Sequence, residues 1–393
     1  MTKTLGPLHN SHFTALRRCK KKFSYAFIEG IQPKQPALPL ARGIWIHYML
    51  QAQFLKWGLE DGTLGIIPES INVDGVGRVL IINDGNFEPH FFVQDEDINK
   101  TGKSYPLSAK GMLQLLTEKV WSRLFDEEKE KYTEDDHTLP EACERILTEY
   151  FYYWRDHFNN RDFKVLLVEA AWSREYKGVL REGRVDYIIE NKRGQIIVGD
   201  WKSTKNQPHP EYKFMESQLH LYAWGVVPLL REYQVPESKL KNIAVEFDYL
   251  STKLPTIPSL NKDGSLSKRK INTTRLTLIN FLNENKLKWS PEQVDEYLDK
   301  TEKVFFERKT MPRNQRVTTT LLDQDLADVP DITRLLENPE TASRTVTIRC
   351  DWDCDFIELC KNELYGNDVR HIRKTQFEAR SNSHAGVVDK DAE

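Results

Sequence analysis

The chain has 393 residues, of which 39% are hydrophobic and 29% charged, with a formal net charge of −3. That balance suits a soluble protein with a real core, built as one elaborated domain or two, and excludes a uniformly basic nucleic-acid coat. The longest apolar runs are as short as WGVVPLL (224–230), so no membrane span or membrane partner is expected. The N-terminal stretch MTKTLGPLHNSHFTALRRCKKKF has no apolar core ahead of a cleavage site, which predicts a cytoplasmic location.

In chain order, residues 11–30 read as a helix, with Ser11 as its N-cap and Gly30 as its stop. This helix carries a basic cluster, Arg17, Arg18, Lys20, Lys21 and Lys22. A second cluster, Lys268, Arg269 and Lys270, falls in a loop or hairpin over 251–275. Each is either a solvated face or the local basic ground that a nucleic-acid enzyme needs. Residues 41–57 read as a second helix, with Ile46, Met49, Leu50, Phe54 and Trp57 as its buried stripe. Residues 58–108, rich in Gly, Asn and Asp, look irregular, and 109–125 and 140–158 look helical. Three strands follow, 164–172, 183–190 and 195–201. Then come a helix over 211–227 that ends or kinks at Pro228, a strand over 242–250 and a helix near 290–308. Strands flanked by helices predict an α/β or α+β layer fold. The polar, small-residue tail at 376–393 is expected to be disordered.

The strands 183–190 and 195–201 are joined by NKRGQ. A three-residue loop, Lys192-Arg193-Gly194, fits the hairpin class with glycine in the left-handed position. It pairs Asn191 with Gln195 and, further down the ladder, Asp186 with Asp200, on one face with Cβ atoms about 4.5–5.5 Å apart. Lys202 shares that face. A two-residue loop, Arg193-Gly194, would instead place Asp186 opposite Trp201. Opposed carboxylates destabilise a sheet unless a cation lies between them, and an oxygen-rich site suits Mg²⁺ or Mn²⁺. Lys202 would then orient a water or offset negative charge on a phosphate.

Five cysteines, an odd number in a chain expected to be cytoplasmic, argue against a disulfide framework. Cys350, Cys354 and Cys360 crowd into CDWDCDFIELC, which points to a thiolate metal site. Cys143 has no partner in the pattern and reads as a core thiol.

GRVD (183–186), IIVGDWKS (196–203) and QLHLY (218–222), preceded by RGIWIH with Gly43 and His47, resemble the ordered motifs of the PD-(D/E)XK nuclease superfamily in its RecB-like branch. The resemblance implies a restriction-endonuclease-like core: a central mixed β-sheet flanked by helices, with helical insertions. It implies that His47, Asp186, Asp200 and the Trp201 carbonyl bind the metal, and that Lys202 is the catalytic lysine. Gln218 and Tyr222 would reach the active site or the DNA, and Glu169 resembles a recurrent acidic position on the preceding strand. Some relatives, AddB-type helicase–nucleases and CRISPR-associated RecB-like exonucleases, hold a [4Fe–4S] cluster on one early cysteine and three late ones. Cys19 with Cys350, Cys354 and Cys360 matches that layout. The spacing of the first two late cysteines, three residues, departs from the two common in the family, and zinc is the alternative occupant.

The expectation is therefore a metal-dependent nuclease acting on single-stranded DNA or DNA ends, most simply an exonuclease. Its core lies at about 160–250, within one domain spanning 1–375 that includes the N-terminal helices 11–57 and the cysteine segment 345–365. Segments 60–160 and 251–345 would be helical walls of a DNA channel. The alternative is a DNA-end-binding protein that keeps the fold without cutting. No G-x-x-x-x-G-K-[ST] loop suggests a helicase in this sequence, and nothing identifies protein partners.

Overall fold

The computed structural model describes residues 3–65, 68–83, 88–93, 102–134, 137–206, 217–267, 272–300, 304–380 and 387–389. The second basic cluster, Lys268–Lys270, and residues 211–216 of the expected helix lie outside them.

At the centre is a five-stranded mixed sheet. Its strands are β1 (Phe163–Tyr176), β2 (Val179–Asn191), β3 (Ile196–Thr204), β4 (Ala244–Ser251) and β5 (Phe306–Pro312), in spatial order β5-β4-β3-β2-β1. Only β3 and β4 run parallel. The expected α/β architecture is therefore present. Five helices matter for the site: α1 (Asn10–Arg18), α2 (Leu38–Glu60), α3 (Leu139–Tyr153), α4 (Ser217–Gly225) and α5 (Gln315–Glu337).

One face of the sheet packs on α2 and α3 through Trp201, Tyr187, Phe54 and Tyr150. The other packs on α4 and α5 through Val185, Ile188, Val198, Leu219 and Leu322. All eight residues of β4 are buried, including Glu246 and Asp248. Burial of such charges demands partners. Glu246 accepts from the Tyr187 hydroxyl at 3.0 Å, and Asp248 pairs with Arg308 at 2.8 Å.

Several expectations change. The helix over 11–30 breaks at Cys19, whose backbone is extended (φ −167°), and resumes as Lys20–Phe23 and a wide turn at Ser24–Ile28. His9, not Ser11, is the N-cap, while Gly30 at φ +64° does end the segment. Residues 58–108 are not irregular: Ser70–Val73, Gly77–Ile82, His90–Val93 and Lys103–Pro106 form a four-stranded antiparallel sheet. The segment 60–160 is thus not purely helical. The helix expected near 290–308 stops at Leu298, and its last residues, from Phe306, already belong to the edge strand β5. Of the two outcomes expected at Pro228, an end or a kink, the helix ends, at Gly225. The proline sits in the first turn of a new one, Val227–Glu232, where a missing N–H costs nothing. The tail expected to be disordered contributes Phe377–Ala379, paired with Ile31–Pro33, and Val387–Asp389, paired with Lys3–Leu5.

Candidate active site

The β2–β3 hairpin adopts the three-residue loop. Gly194 has φ +73°, its N–H donates to the Asn191 carbonyl at 2.8 Å, and the Asn191 N–H donates to the Gln195 carbonyl at 3.0 Å. The ladder runs in that register through Tyr187 and Gly199. The next pair would be Asp186 and Asp200, but there the backbone ladder opens. The Asp186 carboxylate accepts the Trp201 N–H at 2.7 Å. A side chain has replaced the partner strand's carbonyl, so the two strands stay bridged while both carboxylates face the opening.

A second irregularity lies on the other side of Asp186. Along β1 and β2, side chains change core at one level. Val168 and Tyr187 belong to the α2 face, whereas Ala170 and Val185, each two residues away, belong to the α4 face. Strict alternation would keep such residues together. Between these pairs stand Glu169 and Asp186. Glu169 has φ +51°, a conformation costing a non-glycine residue about 1–2 kcal/mol. The reversal leaves both carboxylates at the boundary between the cores.

Three motif glycines have steric reasons. A Cβ on Gly43 would lie 2.6 Å from the Ser203 hydroxyl, so glycine lets α2 settle on β3. His47, one turn on, then places its Nδ1 3.6 Å from the Asp186 carboxylate, its ring edge-on to Trp201 at 6.0 Å. A Cβ on Gly183 would strike the Trp172 ring at 2.7 Å, and one on Gly199 would strike the Tyr187 ring at 1.9 Å. Gly199→Ala is therefore expected to destabilise the protein by about 1–3 kcal/mol through overpacking, read as a lowered urea midpoint at unchanged slope.

From the other face, α4 brings Gln218 and Tyr222. Lys202 Nζ stands 2.6 Å from the Asp200 carboxylate and donates to Gln218 Oε1 at 2.7 Å, and Gln218 Nε2 donates to the Tyr222 hydroxyl at 2.6 Å. Asp186, Asp200, Lys202, His47, Gln218 and Tyr222 thus converge on one end of the sheet.

The electrostatics are those of a crowded acidic centre. Burial, then the Asp200 and Glu169 charges, hold the Asp186 carboxyl well above the ordinary range. Burial lifts Glu169 to about 7, with Arg184 opposing and Asp200 adding. Burial opposes the Lys202 charge, but Asp200 and Asp186 outweigh it and raise its pKa above that of ordinary lysine. Burial keeps His47 neutral. Among the described residues no three His, Cys, Asp or Glu side chains are already drawn into metal-holding geometry. In this arrangement Lys202 supplies the counter-charge. The donors nevertheless fit a hard divalent cation: carboxylate oxygens with repulsion to relieve, and a neutral imidazole beside them.

Two clefts flank this centre. One of about 720 Å³ lies against His47 and Glu169, and one of about 910 Å³ lies against Gln218 and Tyr222.

Cys19, Cys350, Cys354 and Cys360, all free thiols, line a separate cavity of about 50 Å³. The Thr345 N–H points at Cys19 Sγ at 3.4 Å and the Thr347 N–H at Cys350 Sγ at 3.5 Å. Arg18, Lys21, Lys22 and Arg344 line the same cavity. Thiolate ligands with N–H donors and cations around them suit an anionic metal–thiolate centre. Cys143 is remote from it in the α2–α3 core, its thiol pushed up to about 12 by burial.

The N-terminal basic cluster is largely engaged inside the fold. Arg17 binds Asp325 at 2.6 Å and Asp328 at 2.7 Å, Lys20 binds Asp331 at 2.5 Å, Lys21 binds Glu363 at 3.0 Å, and Lys22 meets Asp355 at 3.5 Å. Neither an open nucleic-acid surface nor a purely solvated face describes it. Sequence reasoning passed over Arg184, which stands two residues before Asp186 in the GRVD motif and lines both clefts.

The family model of the PD-(D/E)XK nuclease superfamily matches residues 10–361. No curated protein matches the chain significantly. A solved structure described as "Crystal structure of SSO0001" is 15% identical over 56% of this chain and 70% of that one, with a TM-score of 0.24, too remote to inform the chemistry.

Proposed function

The chain belongs to the PD-(D/E)XK nuclease superfamily, and from that premise we propose that it is a metal-dependent nuclease that hydrolyses single-stranded DNA or DNA ends, most simply as an exonuclease. The observation that carries the reading is the unbroken contact chain from Asp200 through Lys202 and Gln218 to Tyr222, with His47 and Asp186 closing the other side.

In this reading His47, Asp186, Asp200 and the Trp201 carbonyl hold Mg²⁺ or Mn²⁺, with Glu169 near enough in charge to assist. The bound cation would polarise the scissile phosphate and lower the pKa of a water. Lys202, its pKa raised by Asp200 and Asp186, suits orienting the water or offsetting phosphate charge. Gln218 fixes the Lys202 ammonium, and Tyr222 fixes Gln218. No helix among the described residues is long and apolar enough to cross a membrane.

The test is degradation of single- and double-stranded DNA, labelled at either end, with Mg²⁺ or Mn²⁺. Lys202→Ala should slow cleavage by about a hundredfold or more, the usual effect of losing one charge-stabilising donor. Equal rates for the variant and wild type would sink the assignment.

The four-cysteine cavity is read as a [4Fe–4S] centre that ties the chain's ends together, with zinc as the alternative. Iron, sulfur and thiolate would add folding free energy here, because the ligands come from opposite ends of the sequence. Anaerobically purified protein should be brown, and Cys354→Ser should lose the colour and soften thermal unfolding. A colourless protein carrying one zinc decides for the alternative.

A further inference from the structure

The two clefts beside the carboxylates share two lining residues, Leu40 and Arg184. Both are anomalous for a purely structural role. Leu40, in the first turn of α2, is 54% exposed. Arg184 lies on β2 two residues before Asp186, and its side chain is 61% exposed. Its guanidinium stands 3.8 Å from the Glu169 carboxylate, a loose, half-open pair worth little in water. The N-terminal cations, by contrast, are mostly held at hydrogen-bond distance by acids of α5 and the cysteine segment. Arg184 thus keeps charge available at the rim of the catalytic centre.

The Tyr222-side cleft continues in the same sense. Arg380 lines it, stacked on Phe27 at 4.5 Å. Of its two acids, Asp355 meets Lys22 at 3.5 Å, while Glu182 meets the imidazole of His9 at 3.8 Å, whose pKa burial and the nearby arginines lower. Clefts of this size enclose ligands of drug-like dimensions. Each accommodates one or a few nucleotides of a single strand rather than a turn of duplex.

We infer that Leu40 and Arg184 form a neck through which one DNA strand passes between the clefts, across the Asp186–Asp200 opening. Arg184 binds a phosphate next to the scissile one. Leu40 packs its apolar side chain on the face of a base, a contact that buries carbon irrespective of sequence. This rests on the nuclease reading for the identity of the strand, but assigns substrate-binding residues outside the metal and lysine set.

The probe is a short fluorescein-labelled oligothymidylate, bound in EDTA across a salt series and followed by anisotropy. Arg184→Gln should weaken binding about tenfold at low salt. It should also lower the slope of log affinity against log salt by about 0.7, the value for one neutralised phosphate on a single strand. Arg184→Lys should restore the slope but not the full affinity. Leu40→Ala should weaken binding about fivefold or more, the loss of one or two buried methylenes, with the slope unchanged. In cleavage assays, both Arg184→Gln and Leu40→Ala should raise KM far more than they lower kcat. Both side chains are largely exposed, so the variants are expected to fold.

Wild-type affinity and slope in both variants would overturn the neck even where wild type cleaves DNA, and the nuclease reading would stand. The reverse pattern, no cleavage by wild type but the stated binding defects in the variants, would support the neck and remove the nuclease reading. A wild-type protein that binds no single strand overturns the neck, and its cleavage of labelled DNA with Mg²⁺ or Mn²⁺ decides the nuclease reading separately.

Discussion

Asp325→Ala is expected to destabilise the protein by about 3–5 kcal/mol, the cost of removing one partner from a buried ion pair. Asp325 is 2% exposed and stands between two arginines. Arg17 reaches it from α1 at 2.6 Å, and Arg181 reaches it from β2. The Arg181 side chain is equally buried. It lies over the Phe13 ring at 4.2 Å and donates to the Leu8 carbonyl at 3.0 Å. Alanine would leave one buried cation with no charge to balance it and a second half-buried beside it. Against a total stability of about 5–15 kcal/mol, that is at least about a fifth. The loss would fall on a particular joint: α1, which leads into Cys19, docks through Asp325 onto α5 and onto the strand carrying Asp186. The variant should therefore show a lower urea midpoint together with reduced metal at the cysteine centre. Asp325→Leu combined with Arg181→Met should recover much of the stability, since an apolar pair of similar volume avoids the desolvation cost. A wild-type midpoint for Asp325→Ala would show that the triad is solvated in solution.

What the sequence made legible follows from the range of each interaction. The hairpin register was readable because Gly194 fixes the loop locally, and one loop length determines every pair down to Tyr187 and Gly199. Helix α2 was readable because its apolar stripe is long. The four-stranded sheet within 60–160 was missed because its strands are of four to six residues, too short for period-two alternation to stand out among glycine-rich turns. The strand β5 was missed, its first residues absorbed into the expected helix, because it is an edge element whose alternation, in FERKTMP, is mostly polar. The engagement of Arg17, Lys20 and Lys21 by acids more than 300 positions away has no local signature at all. The same holds for Glu169. Its acidic character was visible, but the left-handed backbone that turns it toward Asp186 is imposed by two cores competing for neighbouring residues.

Asp186→Asn should do two opposite things, and the contrast separates a functional carboxylate from a structural one. Cleavage should fall by about a thousandfold or more, on the order of 4 kcal/mol of transition-state stabilisation, because a metal ligand and its charge are lost together. The metal-free protein should nevertheless become more stable at neutral pH. Burial and the Asp200 and Glu169 charges raise the Asp186 pKa in the folded state. A carboxyl whose folded pKa is raised imposes no penalty below its unfolded value of about 3.9. The penalty grows as pH rises toward the folded pKa and is complete above it. Asparagine carries no such penalty and retains an oxygen for the Trp201 N–H, the contact that bridges β2 to β3. In EDTA the melting temperatures of variant and wild type should therefore coincide in acid and diverge in the variant's favour as pH rises. Adding Mg²⁺ or Mn²⁺ at a hundred times its dissociation constant should stabilise wild type by about 2.7 kcal/mol and leave the variant unmoved. A variant less stable than wild type in EDTA at neutral pH, or one that keeps the metal-induced rise, would mean that Asp186 serves the fold rather than a cation. Repulsion among Asp186, Asp200 and Glu169 is otherwise without use to the fold, which has paired its other buried acids, Glu246, Asp248 and Asp325, with donors.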